Sequence, residues 1–209
     1  MALPASHPQR EWILIGIAEC CAKRGLERTS VEDVCDAAGV TREAFEGEFA
    51  DLGECLGAAM EHIVGEAWRA LEQTGSTDRP WAAVLRDGAA TLLGLLAERP
   101  AFAHIALFEA AAADGRAAAL RDSAHGALLE FLERGHDLAE PGVPGSAARG
   151  ALAGAEALVE QRVLAGEAAQ LAELAPAVTY MLAVPFTGIG EAQQLASSAA
   201  RRRHLRAVA

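Results

Sequence analysis

The residue types best placed to do chemistry in this 209-residue chain lie between Arg28 and Phe49. Arg28 and Arg42 carry guanidinium groups that can bond phosphate oxygens or a base edge, and Ser30 and Thr41 carry hydroxyls at two positions where a helix can start. Around them the run TSVEDVCDAAGVTREAFEGEF has the spacing of two short helices joined by a tight turn. Ser30 and Asp33 form an S-x-x-D start signal, so the first helix should begin near Val31. Val34, Ala37 and Ala38 give it an apolar face, and Gly39 is free to take the positive φ of a helix C-terminus. Val40 then enters the core, Thr41 caps the second helix, and Phe45 and Phe49 share one of its faces. This is the pattern of a helix-turn-helix. Its outward face, the one such a motif lays into the major groove when it binds DNA, carries Arg42, Glu43 and Glu46. That face is mostly acidic, and Arg42 can pair with Glu46 four residues on.

Other chemistries find little support. No nucleophile stands beside a base, no carboxylate pair sits in an apolar setting, and Gly188-Ile189-Gly190 follows a predicted helix and so is not a dinucleotide loop. The reading is therefore not an enzyme, with no cofactor. Cys20, Cys21, Cys35 and Cys55 lack C-x-x-C spacing and a nearby paired His motif, which favours core packing over a metal or redox role. No metal site is expected. The net charge of −11 argues against non-specific attraction to phosphate or anionic lipid, while leaving room for a local basic patch. MALPASHPQREW lacks a basic segment followed by an apolar run, so a cytoplasmic protein is expected.

The elements that position the motif are all helical, since aromatics make up only 5% and no stretch alternates with period two. Residues 1–9 read as a disordered arm, and Gln9 to about Arg24 as the first helix, with Ile13, Ile17, Cys20 and Cys21 inward and Gly25 ending it. Asp51 and Glu54 start a long helix to about Gln73, and Gly75–Pro80 is a polar linker. Trp81–Glu98 is the next helix, stopped at Pro100, and Ala101–Ala113 follows up to the Asp114-Gly115 turn. Further helices are expected at Arg116 to about His136 and, after the loop Ala139–Ser146, at Ala147 to about Leu164. Leu174–Gly190 has no charge but contains Pro176 and Pro185, so it reads as a buried helix and not a membrane span. Glu191 to about Arg206 closes the chain, ending in the basic cluster Arg201, Arg202, Arg203, His204 and Arg206, read as complementing the helix end.

The element order, the run AKRGLERTSVEDVCDAAGVTREAF and the segment AELAPAVTYMLAVPFTG resemble the tetracycline-repressor (TetR) family of bacterial regulators over nearly the whole chain. The resemblance implies an all-α fold: a three-helix helix-turn-helix domain at 1–50, then a larger helical ligand-binding and dimerisation domain at 51–209. It also implies a homodimer on a palindromic operator and a small-molecule effector. DNA contacts then fall to Arg28, Ser30, Thr41, Arg42, Glu43 and Glu46. Among residues in helices expected to frame a cavity (Trp81, His136 and Tyr180 also among them), Phe102, His104, Phe108, His125, Gln161 and Met181 are assigned to the ligand. Ala147–Leu164 and Leu174–Phe186 carry more apolar surface than a lone helical domain needs, which fits pairing with a second copy.

The departures from the family pattern fall on the DNA face. Glu46 replaces a usual Tyr, Glu48 a His or Tyr, and Leu52 a phosphate-facing Lys. From Arg10 to His62 there are five basic residues against twelve acidic, whereas DNA-binding domains are normally basic. Two readings follow: a ligand-responsive regulator, a repressor in the family's manner, and a TetR-like module that has lost ordinary DNA binding and works through its cavity or a protein partner.

Overall fold

The structure, a computed structural model, describes residues 8–74, 79–139 and 142–208, without the side chains from residue 200 onward. Residues 1–7 of the N-terminal arm, residues 75–78 of the expected linker, residues 140–141 of the loop and the side chains of the Arg201–Arg206 cluster therefore lie outside the described part. Among the described residues every regular element is helical. In chain order these are α1 (Pro8–Arg24), a 3-10 turn (Leu26–Arg28), α2 (Val31–Ala38), α3 (Arg42–Glu48), α4 (Leu52–Glu72) and α5 (Trp81–Glu98). Then come α6 (Pro100–His104), a π turn (Ile105–Glu109), α7 (Ala110–Ala112), α8 (Arg116–Glu133) and a second 3-10 turn (Arg134–Asp137). The chain closes with α9 (Ala147–Leu164), a third 3-10 turn (Ala168–Leu174) and α10 (Ala175–Val208).

The chain divides into two compact units. The first, Met1–Gly65 with Ala101–Ala124, takes in more than residues 1–50: the first half of α4, the π turn and the start of α8 pack with the helix-turn-helix. Its core is apolar by design of the sequence stripes, with Ile13, Ile17, Cys21, Val34, Phe45, Phe49, Cys55, Leu56 and Ile105 all buried. Gly16 lets α1 and α2 approach, since a Cβ there would sit 3.0 Å from the Val34 carbonyl oxygen. All four cysteines are buried and free. Burial pushes the Cys21 and Cys55 thiols up to about 12, so both stay neutral and behave as small apolar groups.

The second unit, Glu66–Pro100 with His125–Ala209, is built on α5, α9, the third 3-10 turn and α10. Leu85, Leu93, Leu152, Val159, Leu171, Leu174, Val178, Leu182 and Phe186 fill it. α10 is two helices joined at Gly188, whose φ of 74° and ψ of 171° are open to glycine but not to most side chains. The segment Leu174–Gly190 is not buried throughout: Ala177 is exposed, Tyr180, Met181 and Val184 are half-buried, and Ile189 is 64% exposed. Among the described residues Ala168–Ala199 is long and apolar enough by composition to cross a membrane, at a mean hydropathy of 1.3, but the Gly188 break interrupts it.

Candidate nucleic-acid interface

α2, its turn and α3 are held by side chains that the local sequence supplies. The Ser30 Oγ accepts from the Asp33 N–H at 3.1 Å, while Asp33 Oδ2 accepts from the Ser30 N–H at 2.9 Å, a reciprocal capping box. The Ser30 N–H and the Ser30 hydroxyl, each donating to Asp33 Oδ2 at 2.9 Å, hold the Asp33 carboxyl below the usual carboxylate range, with Arg24 contributing less. Gly39 closes α2 in the left-handed region (φ 65°), and the Val40 N–H returns to the Cys35 carbonyl at 3.0 Å. Thr41 Oγ1 accepts from the Ala44 N–H at 3.2 Å, and the Phe45 and Phe49 rings meet at 5.7 Å beneath α3. Ala37, expected inward, is exposed, and Val40 is half-buried.

On the outer surface Ser30, Thr41, Arg42, Glu43 and Glu46 are all exposed, as is Arg28. The Arg42 guanidinium is occupied twice: Nε donates to Glu46 Oε1 at 2.7 Å, and Nη1 bonds Glu32 Oε1 of α2. The first pair is the expected i, i+4 contact; the second joins the two helices and lies beyond helical spacing rules. These carboxylates, Glu46 first, raise the arginine pKa above its ordinary value. Other cations of the unit are also engaged. Arg24 bonds Asp33 at 2.7 Å, and Arg10 bonds Glu48 at 3.3 Å while lying over the Phe49 ring at 4.6 Å. Glu48 is therefore not a free outward carboxylate, as the sequence suggested, but a half-buried anchor for α1. Among the described residues of this unit Arg28 is the cation without an ion pair; its Nε donates to the Arg24 carbonyl at 2.7 Å.

The six ligand candidates divide between the units, Phe102, His104 and Phe108 in the first and His125, Gln161 and Met181 in the second. Phe102 is buried against the His62 ring at 5.5 Å, and His104 contacts both the Phe108 ring at 5.1 Å and Glu109 Oε1 at 3.2 Å. His125 Nδ1 meets Glu156 Oε1 at 2.8 Å, and Met181 packs its methyl over Gly154. Gln161, expected to frame a cavity, is exposed, on a stripe of α9 with Gly150, Ala153, Ala157 and Leu164. In the second unit Trp81 donates to the Phe131 carbonyl at 3.0 Å and stands edge-on to Phe186 at 5.4 Å. Two buried polar atoms there, His136 Nε2 and Thr179 Oγ1, have no hydrogen-bond partner among the described residues. Glu32, Arg10, Glu109 and Glu156, which complete these contacts, were not singled out from sequence. Most of their partners are distant in the chain, and the His104–Glu109 pair needs a π turn to form. Among the described residues no group of three or more His, Cys, Asp and Glu side chains could hold a metal ion.

No family model and no curated protein matches the sequence. Solved structures do match the fold. The fatty acid degradation regulator FadR from Bacillus halodurans superposes with a TM-score of 0.70 at 16% identity, over 85% of this chain and 96% of that one. A TetR-family transcription regulator from Marinobacter aquaeolei gives 0.66 at 20% identity, over 85% and 95%. The TetR-like regulator LfrR from Mycobacterium smegmatis, solved in complex with proflavine, gives 0.57 at 23% identity, over 88% and 98%. With an N-terminal helix-turn-helix carried on an all-helical body, the chain has the fold of the TetR-family transcription regulators.

Proposed function

We propose that the protein is a ligand-responsive transcription regulator, a cytoplasmic repressor that binds a palindromic operator as a homodimer. The observation that carries this reading is the capped helix-turn-helix at the front of a TetR-type fold, with Arg28, Ser30, Thr41 and Arg42 on its exposed surface. The effector is a small molecule taken up by the second unit, where His136 Nε2 and Thr179 Oγ1 are buried polar atoms that a ligand's hydrogen-bonding groups can satisfy. LfrR, which has this fold, was solved in complex with proflavine, which supports a small-molecule effector.

A gel-shift titration against the DNA flanking the protein's own gene, at low salt, tests the reading. Binding below micromolar protein, with a shallow salt dependence because few cations are free to release counterions, is the expected result. A second reading is favoured by the double engagement of Arg42 with Glu32 and Glu46: a module of the same fold that has given up ordinary DNA recognition for its ligand or a protein partner. Absence of any shift at micromolar protein would carry that reading instead.

A further inference from the structure

The 3-10 turn Leu26–Arg28 connects α1 to the helix-turn-helix. Its first N–H, on Leu26, is an orphan donor of a helical start, and Gly25 before it has no side chain to cap it. The acceptor comes from far along the chain: Glu109 Oε2, at 3.1 Å. The other carboxylate oxygen is held by His104 Nε2 at 3.2 Å, and the Glu109 side chain is only 13% exposed. Cys21, at the end of α1, feels the same carboxylate: after burial, Glu109 is the next cause of its raised pKa.

His104 and Glu109 are five residues apart, a spacing that an α-helix places about 140° apart around its axis. They meet because residues 105–109 form a π turn. The register of that turn therefore decides which side chain faces Leu26. In α register the fourth residue after His104, Phe108, would face it, and the Leu26 N–H would lose its acceptor. Leu26 is tied onward to the reading motif. Its carbonyl accepts from the Thr29 N–H at 3.0 Å, Thr29 Oγ1 donates to the Gly25 carbonyl at 2.8 Å, and Ser30 then caps α2. At its other end the segment follows directly on Pro100, the last residue of that stretch of the second unit. A π turn holds one residue more than an α turn, so closing it to α register shifts by one residue which side chain faces Leu26.

We propose that the π turn Ile105–Glu109 is a two-register latch: in π register Glu109 holds the entry to the helix-turn-helix through Leu26, and closure to α register releases it. The inference deepens the DNA-binding reading above, and its second readout rests on that reading.

Amide hydrogen exchange on the full chain tests it. In Glu109→Ala the Leu26 amide should exchange at least tenfold faster than in the parent, the loosening reaching Thr29 and the start of α2 while α5 is unchanged. In the double variant Phe108→Glu/Glu109→Ala the carboxylate stands where only α register can present it to Leu26, and protection should return to within threefold of the parent. An unchanged rate in the single variant overturns the contact, and a double variant as fast as the single overturns the second register. Should Glu109→Ala fail to fold, Glu109→Met keeps the volume without an acceptor and is read the same way. On operator DNA the single variant should bind at least fivefold more weakly and the double variant should recover; altered exchange with unchanged DNA affinity overturns the coupling. If the parent binds no DNA, the exchange rates still decide the latch, and only the DNA-binding reading falls.

Discussion

Arg42 is the residue on which the two readings of function divide. An exposed ion pair contributes little to stability, so Glu32 and Glu46 are not there to hold the fold. Their effect is on availability, because a guanidinium bonded to two carboxylates must leave both before it can read a base. Glu32→Gln/Glu46→Gln keeps both side-chain lengths and removes both charges. If the protein binds DNA through this face, affinity should rise by about an order of magnitude at low salt, since each carboxylate also repels the approaching phosphates. A gel shift with no gain would place Arg42 off the DNA. Glu48 and Leu52 are poorer sites for such a test, because Glu48 anchors Arg10 and Leu52 is half-buried at the start of α4. In the second unit Gly135 offers a separate check on packing. A Cβ there would lie 2.8 Å from both Phe186 and Trp81, so Gly135→Ala should cost about 1–3 kcal/mol, read as a lowered thermal midpoint. An unchanged midpoint would show that the aromatic cluster is loose enough to yield.

Individual helices were legible where the determinants are local. Trp81–Glu98 and Ala147–Leu164 start and stop where Pro, Gly and polar residues punctuate the sequence, and the Ser30, Thr41 and Asp51 start signals all form. At the Asp51 signal the Glu54 N–H donates to Asp51 Oδ1 at 2.8 Å, while the Glu54 carboxylate accepts from the Ala50 N–H at 2.7 Å. What local pattern does not encode is contact between distant residues: Arg42 with Glu32, Arg10 with Glu48, Leu26 with Glu109. Nor does a 3.6-residue period announce a π turn at 105–109. The outward position of Gln161 is not legible for a related reason, since periodicity gives a helix face but not which face turns outward. The cap of α2 carries a prediction at this scale. Ser30→Ala removes the acceptor for the Asp33 N–H and should cost about 1 kcal/mol, or about 2–4 °C in thermal midpoint. The sign with pH follows from Asp33, whose carboxyl is held low in the folded state. A lowered folded pKa gives stability that is fully present above the unfolded value near 4 and is lost as pH falls through the folded one. The advantage of the parent over Asp33→Asn should therefore be full at pH 6 and shrink below about pH 4. A gap of equal size at pH 3 and pH 6 would mean that the charge plays no part in the cap.

For the whole molecule, the proposed homodimer draws on surface that the single chain leaves uncovered. The stripe of Gly150, Ala153, Ala157, Gln161 and Leu164 runs the length of α9 with no charged residue in it, and Leu164 is 71% exposed. On α10 the half-buried Tyr180, Met181 and Val184 are followed by Ile189, 64% exposed. Small residues along one helix allow close backbone approach to a symmetry mate, and two helices from each copy would form a four-helix interface of the kind that holds bundles together. A stable interface of that type removes roughly 1,200–2,000 Å² of total surface from water, which apolar stripes on two helices per copy can supply. Light scattering at micromolar concentration should therefore report twice the monomer mass, and Ala157→Glu, which places a charge against its own symmetry mate in the middle of the stripe, should shift the protein to monomer with its helical content intact. A palindromic site requires two reading heads held at a fixed spacing, so the monomeric variant should also lose most of its operator affinity although residue 157 lies outside the helix-turn-helix. A parent protein that is already monomeric at that concentration would remove the dimer, and with it the palindromic operator, from the proposed function.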